Sequence, residues 1–287
     1  MKTEELPTIP VAGGKIAYRR IGSGRPLLVL NGFAATNTDW DPSFIGGLAS
    51  FNELILLDNR GVGESADDGR PFDIAQLEDD AAQVIETLGF EHISVIGWSM
   101  GGFIAQALVL QHPDHVDKLI SLSTDSGGPD TDRASPAVWS QLIDTSGTPH
   151  EQALRLLFLL FPADVAEPLY RQFGDIVAAA RAQLSFDLVK RQAAAMDAWH
   201  NSCVASRLRE IHVPVLIGTG ADDIVIPPSN ALKLVNEIPG AWLVQFPRAG
   251  HGFMAQSPRE VANLINCFLV TDTSTEQPAA LCSVERP

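Results

Sequence analysis

One serine lies between two glycines at the junction of a predicted strand and a predicted helix. The stretch GWSMGG at 97–102 follows the strand-forming run ISVI and precedes an apolar stretch of helical composition. Glycine has no Cβ, so Gly97 and Gly101 allow strand and helix to approach closely while the turn pushes Ser99 outward. The amino end of the helix would offer unpaired N–H groups to a developing negative charge. This pattern predicts a nucleophilic serine at position 99.

A serine hydroxyl needs a base to remove its proton, and histidine is the base suited to neutral pH. Among the seven histidines, His251 is favoured because it follows the last predicted strand on the glycine-flanked loop AGHGF. The other six fall at predicted element ends or in a central helical region, where a structural role is expected: His92, His112, His115, His150, His200 and His212.

The base in turn needs a carboxylate that orients its ring and stabilises its charged form. Asp222 and Asp223 follow the predicted strand PVLIGTG, and Asp223 is favoured because it stands four residues before Pro227. Asp222 is then a loop or N-cap residue. Asp125, which follows the preceding predicted strand, remains an alternative acid. Functional groups of parallel sheets collect at these carboxyl ends of strands.

Acyl transfer also requires N–H donors for the negatively charged oxygen of the tetrahedral intermediate. The backbone N–H of Met100, directly after Ser99, is one candidate. The second is the backbone N–H of Phe33 in LVLNGF, where Gly32 allows the chain to turn inward after an early strand. Together these two groups would form an oxyanion hole.

Short β-rich runs alternate with longer amphipathic stretches, which indicates an α/β protein with a mostly parallel sheet. A helix is predicted over 73–89, where apolar residues share one face and Gly89 ends the pattern. The predicted strands are KIAYRRI (15–21), LLVL (27–30), ELILLD (53–58), ISVIG (93–97), KLISLS (118–123), PVLIGTG (214–220) and AWLVQF (241–246).

The stretch 128–208 has no good strand pattern and is predicted to be a helical cap inserted between two strands, with breaks at Pro136, Pro149, Pro162 and Pro168. Residues 1–127 and 209–270 then form the core domain, and the polar end at 271–287 is predicted to be disordered. Trp98, beside the nucleophile, and the cap residues Trp199 and Phe158 are candidates for an apolar substrate pocket.

The net charge of −15 disfavours binding to nucleic acid and to anionic membranes. The start MKTEELPTIP lacks the apolar segment of a signal peptide, so a cytoplasmic protein is expected. The three cysteines do not have the spacing of a zinc site. We therefore expect no metal and no cofactor. A small-molecule ester is the expected partner, and the chain is expected to be a monomer or homodimer.

These segments resemble the α/β-hydrolase fold family over nearly the whole chain. The combination of DNRGVGES (58–65), SMGG and AGHGF is most similar to the branch of carboxylesterases, methyl esterases and enol-lactone hydrolases. The resemblance implies an eight-stranded sheet with the cap after strand six, and the chain order serine, acid, histidine. It also implies that Asp58 and Arg60 brace the site. Asn31 departs from the usual histidine, which would alter the hydrogen bonds behind the oxyanion loop.

The chemistry implied is hydrolysis of a carboxylic ester of a small to medium, largely apolar substrate through an acyl-enzyme. Diketone carbon–carbon hydrolysis and enol-lactone hydrolysis use the same three residues and remain alternatives. A ligand-binding relative without catalysis is a further alternative. Epoxide and haloalkane hydrolysis are disfavoured because both need an aspartate where this chain has Ser99.

Overall fold

The computed structural model describes residues 5–202 and 204–272. Nine β-strands and ten α-helices follow one another along these residues. The strands are β1 (Thr8–Val11), β2 (Gly14–Gly22), β3 (Arg25–Leu30), β4 (Asn52–Leu57), β5 (Ala66–Asp67), β6 (Ile93–Trp98), β7 (Val116–Leu122), β8 (Val215–Gly220) and β9 (Trp242–Phe246). The helices are α1 (Pro42–Ala49), α2 (Ile74–Thr87), α3 (Met100–Gln111), α4 (Pro136–Ile143), α5 (Pro149–Leu160), α6 (Ala163–Arg181), α7 (Phe186–His200), α8 (Ser229–Glu237), α9 (Phe253–Gln256) and α10 (Pro258–Val270).

The strands form a mostly parallel sheet in the order β1-β2-β4-β3-β6-β7-β8-β9, with the two-residue β5 paired to β2. All pairings from β4 to β9 are parallel, whereas β2 pairs antiparallel with its neighbours. The predicted α/β class and the predicted eight-stranded path are confirmed, and β5 is an addition at the edge. The carboxyl ends of β3, β6, β7 and β8 consequently lie along one border of the sheet.

Both faces of the central strands β3, β4, β6, β7 and β8 are largely buried because helices cover each side of the sheet. Leu28 and Leu30 of β3 contribute to the apolar cluster that contains residues of α2, α3 and α8. Leu27 and Val29 point the other way, into the cluster with residues of α1 and α10. This alternation explains why the strands are continuously apolar in sequence.

The helix predicted over 73–89 is α2, and its boundaries have local causes. The Asp73 side chain caps the first turn by accepting from the Gln76 N–H. The helix ends at Thr87, two residues before Gly89, whose φ of 74° favours glycine. The predicted apolar face, which includes Leu77 and Val84, is buried against the sheet.

Helices α4 to α7 form a helical insertion between β7 and β8, and no strand occurs in its described residues. Pro136 and Pro149 begin helices, and Pro162 caps α6. The break predicted at Pro168 is wrong, because this residue lies inside α6. It occupies the second turn, where it removes one backbone hydrogen bond, and the packing of α6 against α5 maintains the helix.

The division of the chain into a core domain and a cap stays a prediction. Of the end predicted to be disordered, residues 273–287 lie outside the described residues. No helix in the described part of the chain has the length and apolar character needed to cross a membrane.

Candidate active site

Ser99 occupies the turn between β6 and α3. Its φ of 57° and ψ of −122° lie in a region that side-chain-bearing residues rarely adopt. The turn is this tight because a Cβ on Gly97 would stand 2.2 Å from the carbonyl oxygen of Gly101. The Ser99 N–H donates to the carbonyl oxygen of Leu122 at 2.9 Å. The Thr124 hydroxyl donates to the carbonyl oxygen of Ser99, also at 2.9 Å. The Ser99 hydroxyl makes no capping bond to α3, so the turn leaves it available for other contacts.

His251 and Asp223 form a buried pair at the ends of β8 and β9. His251 Nδ1 lies 2.8 Å from Asp223 Oδ2, and the two residues are 2% and 4% exposed. Because a carboxylate only accepts hydrogen bonds, Nδ1 carries the hydrogen and Nε2 is left as the basic nitrogen. Asp223 Oδ1 accepts from the N–H groups of Val225 and Ile226 at 2.9 Å each, which fixes the carboxylate.

Trp98 connects this pair to the serine turn. Its indole N–H donates to the carbonyl oxygen of His251 at 3.1 Å, and the two ring centroids are 5.5 Å apart. Since Trp98 directly precedes Ser99, the structure brings the three predicted catalytic residues to one place at the carboxyl edge of the sheet. A Cβ on Gly32 would lie 3.3 Å from Ser99 Cβ, so the loop after β3 reaches the same place.

The loop after β3, residues 31–40, carries Phe33, whose N–H is a predicted oxyanion donor, and it is named the oxyanion loop after that prediction. Phe33 is half-buried, and the next residue, Ala34, has a φ of 53°. The Asn31 side chain is fully buried and uses both ends of its amide. It donates to Leu57 O and accepts from the Trp40 indole, each at 2.5 Å. Both ends of the Asn31 amide are therefore hydrogen-bonded, and the alteration expected relative to a histidine at this position stays a prediction.

Asp58 fixes the far end of the oxyanion loop. Its Oδ1 accepts from the backbone N–H of Asn37 at 2.7 Å and from the Asn37 side chain at 2.8 Å. Arg60 forms a buried two-point ion pair with Asp80, with Nε 2.8 Å from Oδ2. Asp58 thus contacts the loop after β3, whereas Arg60 joins its own loop to α2; a bracing role of both residues in the site stays a prediction.

The alternative acid Asp125 has a different partner. Its Oδ2 lies 3.1 Å from Nε2 of His200, and both residues are buried. Asp222 is an exposed loop residue. The remaining five histidines lie at exposed or half-exposed positions: His92, His112, His115, His150 and His212.

The three predicted pocket residues have different surroundings. Trp98 packs between Trp40 and His251, and Trp199 stacks on Phe103 at a centroid distance of 5.2 Å within the core. Phe158 on α5 is 41% exposed. Contact of these residues with substrate stays a prediction.

A cavity of ≈ 230 Å³ lies between α4, α7 and the loops that follow β7 and β8. Apolar side chains dominate it, and the His200–Asp125 pair forms part of its wall. The sequence did not point to this cavity. Its lining residues are Asp125, Asp132, Arg133, Ala134, Pro136, Trp139, Leu142, Met196, Asp197, His200, Val225 and Ile226.

No group of three or more His, Cys, Asp or Glu side chains in residues 5–202 and 204–272 is placed to hold a metal ion. The residues brought together at the sheet edge are a serine, a histidine–aspartate pair and a backbone loop. Such a set is suited to proton transfer and nucleophilic attack.

The fold combines a mostly parallel sheet, a strained serine turn after one strand and a histidine–aspartate pair after two others. These features define a class of α/β proteins in which nucleophilic chemistry is expected. Comparison with known proteins agrees. The family model for the alpha/beta hydrolase fold matches residues 25–258. The chain belongs to this family.

The relatives have several activities in their names. A RutD protein of Caulobacter sp. (strain K31), provisionally named a carbamate hydrolase, is 30% identical over 251 residues, which cover 86% of this chain and 91% of that protein. The esterase EaEST from Exiguobacterium antarcticum has a TM-score of 0.78 at 25% identity, covering 90% of this chain and 97% of that one. The enol-lactonase from Burkholderia xenovorans LB400 has a TM-score of 0.81 at 22% identity, covering 92% of this chain and 100% of that one. At 22% identity the likeness concerns the fold alone.

Proposed function

We propose that this protein is a serine hydrolase that cleaves a carboxylic ester of a small to medium, largely apolar substrate. The observation that carries the proposal is the buried His251–Asp223 hydrogen bond of 2.8 Å beside a serine in a strained turn. A buried carboxylate that fixes a histidine ring beside a serine is the arrangement that activates a hydroxyl.

In the first half of the reaction, Ser99 Oγ attacks the ester carbonyl carbon while His251 Nε2 takes the hydroxyl proton. The N–H groups of Phe33 and Met100 bind the negatively charged oxygen of the tetrahedral intermediate. The intermediate collapses, the bond to the leaving alcohol breaks, and His251 returns the proton to that alcohol. Asp223 keeps the ring in position and stabilises its charged form.

In the second half, water attacks the acyl group on Ser99. His251 takes a proton from the water and returns it to Ser99 Oγ as the acid leaves. The net reaction consumes one ester and one water and yields one acid and one alcohol. No oxidant, reductant or cofactor takes part.

The test is turnover of esters of increasing acyl length by the wild type and by Ser99→Ala. The variant should lose at least about a thousandfold in kcat/KM with an unchanged circular dichroism spectrum. Ser94→Ala, on the same strand, is the matched control and should keep wild-type turnover. An organophosphonate should add covalently to the wild type and to Ser94→Ala only. A Ser99→Ala variant with near-native turnover would contradict the proposal.

The same assay should include a carbamate, an enol-lactone and a vinylogous diketone. The name of the 30% identical relative supports the carbamate, in which the same attack occurs at a carbonyl flanked by nitrogen and oxygen. A carbamate turned over faster than every ester would reassign the substrate class and leave the role of Ser99 intact.

A further inference from the structure

The ≈ 230 Å³ cavity changes in character from its mouth to its base. Its mouth is formed by exposed residues, among them Arg133 and Asp197, whereas its base is buried. A cavity of about 150 Å³ with apolar walls is large enough to hold benzene. This cavity therefore has room for a molecule the size of one substituted ring. The buried lining residues are Asp125, Leu142, Met196, His200, Val225 and Ile226.

The charged side chains at the mouth of the cavity already have ionic partners. Asp132 Oδ2 lies 2.9 Å from Lys233 Nζ and accepts from the Ser229 hydroxyl at 2.6 Å. Arg133 Nη1 lies 3.8 Å from Asp197 Oδ1. Because opposite charges stand side by side, the mouth does not select a ligand of either sign. Together with the apolar walls, this favours an uncharged and largely apolar occupant.

His200 is the basic polar group at the base of the cavity, and its ring is fixed. Its Nε2 lies 3.1 Å from Asp125 Oδ2, and Oδ1 of the same carboxylate accepts from the Gly127 N–H at 2.8 Å. The Phe103 ring meets the imidazole edge-on at a centroid distance of 5.6 Å. Since a carboxylate only accepts hydrogen bonds, Nε2 carries the hydrogen, and Nδ1 of the neutral ring is an acceptor.

Nδ1 of His200 has no hydrogen-bond partner among residues 5–202 and 204–272. It is also not fully enclosed by protein, in contrast to the unpaired indole nitrogen of the adjacent Trp199. His200 is 8% exposed and lines the cavity, so the space that reaches Nδ1 is that of the cavity. An acceptor in such apolar surroundings is best satisfied by a donor that a bound molecule supplies.

We propose that this cavity binds a small apolar alcohol or phenol whose hydroxyl donates to Nδ1 of His200. The apolar body of the ligand packs against Met196 and Ile226, and Asp125 keeps the imidazole in the tautomer that accepts. Ser99 is not among the residues that line the cavity. The inference therefore does not depend on the hydrolase function proposed above.

The experiment measures the association constants of para-fluorophenol and para-fluorotoluene by fluorine nuclear magnetic resonance. The two probes have nearly the same shape and differ by a hydroxyl in place of a methyl group. Both should bind to the wild type. The phenol-to-toluene ratio of association constants is then compared between the wild type and His200→Phe, so the different hydration of the two probes cancels. Loss of one neutral hydrogen bond should lower this ratio about tenfold in the variant.

His212→Phe is the matched control, since it replaces an exposed histidine that does not line the cavity, and its ratio should equal that of the wild type. Ala134→Trp should prevent binding of both probes, because the added ring occupies the cavity. If His200→Phe does not fold, as judged by circular dichroism, its combination with Asp125→Asn avoids an unpaired buried carboxylate.

Three results would overturn the inference. They are absence of probe binding to the wild type, unchanged binding to Ala134→Trp, and an unchanged ratio in the folded His200 variant. Neither probe is an ester, so these results leave the proposed hydrolase function to its own test.

Discussion

Glu78 on α2 is a buried carboxyl group whose ionisation the fold opposes. Glu78 is 3% exposed, and burial together with the nearby Asp79 raises its pKa from 4.5 to about 7. His112 Nε2 lies 3.1 Å from Glu78 Oε1, but the orientation of the two groups does not make a hydrogen bond. Replacement by glutamine keeps the shape of the protonated acid and removes the charge.

The direction of the effect follows from the raised pKa. The folded protein binds this proton more tightly than the unfolded chain, so the stabilising contribution of Glu78 is complete below about pH 4.5. It is lost as pH rises through about 7. Relative to low pH, the raised pKa should lower the free energy of unfolding by about 1 kcal/mol near pH 5, where only the unfolded chain ionises, and by about 3 kcal/mol near pH 8. Glu78→Gln should raise the free energy of unfolding by these amounts.

Urea unfolding followed by circular dichroism measures this free energy for wild type and variant near pH 5 and near pH 8. Glu86→Gln, at an exposed position of the same helix, is the matched control and should show no such gain. A gain near pH 8 that does not exceed the gain near pH 5 would refute the reasoning. Direct titration of Glu78 by nuclear magnetic resonance would then show whether its pKa is ordinary.

Two further predictions concern the braces of the site. Asp58→Asn keeps one acceptor oxygen for the two N–H groups of Asn37 and puts an N–H donor where Oδ2 now accepts from the Glu64 N–H. The free energy of unfolding should fall by about 2 kcal/mol, and ester turnover, measured on the same sample, should fall with it. Unchanged stability would contradict this role of Asp58. Gly101→Ala places a Cβ 2.2 Å from a backbone oxygen of β3 and should lower the free energy of unfolding by more than about 3 kcal/mol. A Cβ on Gly46 meets nothing within 4 Å, so Gly46→Ala should raise the free energy of unfolding by up to about 1 kcal/mol. Equal melting temperatures of the two variants would contradict this prediction.

The elements that sequence predicted well are those with strong local causes. Buried parallel strands are continuously apolar, and α2 has a capping aspartate, one apolar face and a terminal glycine. The short edge strands β1 and β5 were missed because two to four residues give too little pattern. The helix break predicted at Pro168 was wrong because the sequence shows only the local loss of a backbone hydrogen bond. The packing of α5 against α6, which maintains the helix, depends on the whole fold.

The residues of the candidate site also fall into those that a local sequence pattern indicates and those that depend on contacts between distant parts of the chain. Ser99 lies in a motif whose glycines report a backbone constraint, and His251 and Asp223 follow strands in an order that the resemblance supplied. No sequence motif indicated the hydrogen bond from the Ala34 N–H to the Gln192 side chain or the His200–Asp125 pair. They depend on contacts across 158 and 75 positions, and only the folded chain brings those partners together.

The backbone of Ser99 has a consequence for the evolution of stability in this protein. Its positive φ of 57° disfavours any residue with a Cβ by about 1–3 kcal/mol, and glycine would escape that penalty. Selection for thermal robustness alone would therefore favour replacement of the whole CH2OH side chain of Ser99 by the hydrogen of glycine. Laboratory evolution of heat-resistant variants should accordingly be coupled to an activity screen, because the most accessible gain at this position also abolishes the proposed nucleophile.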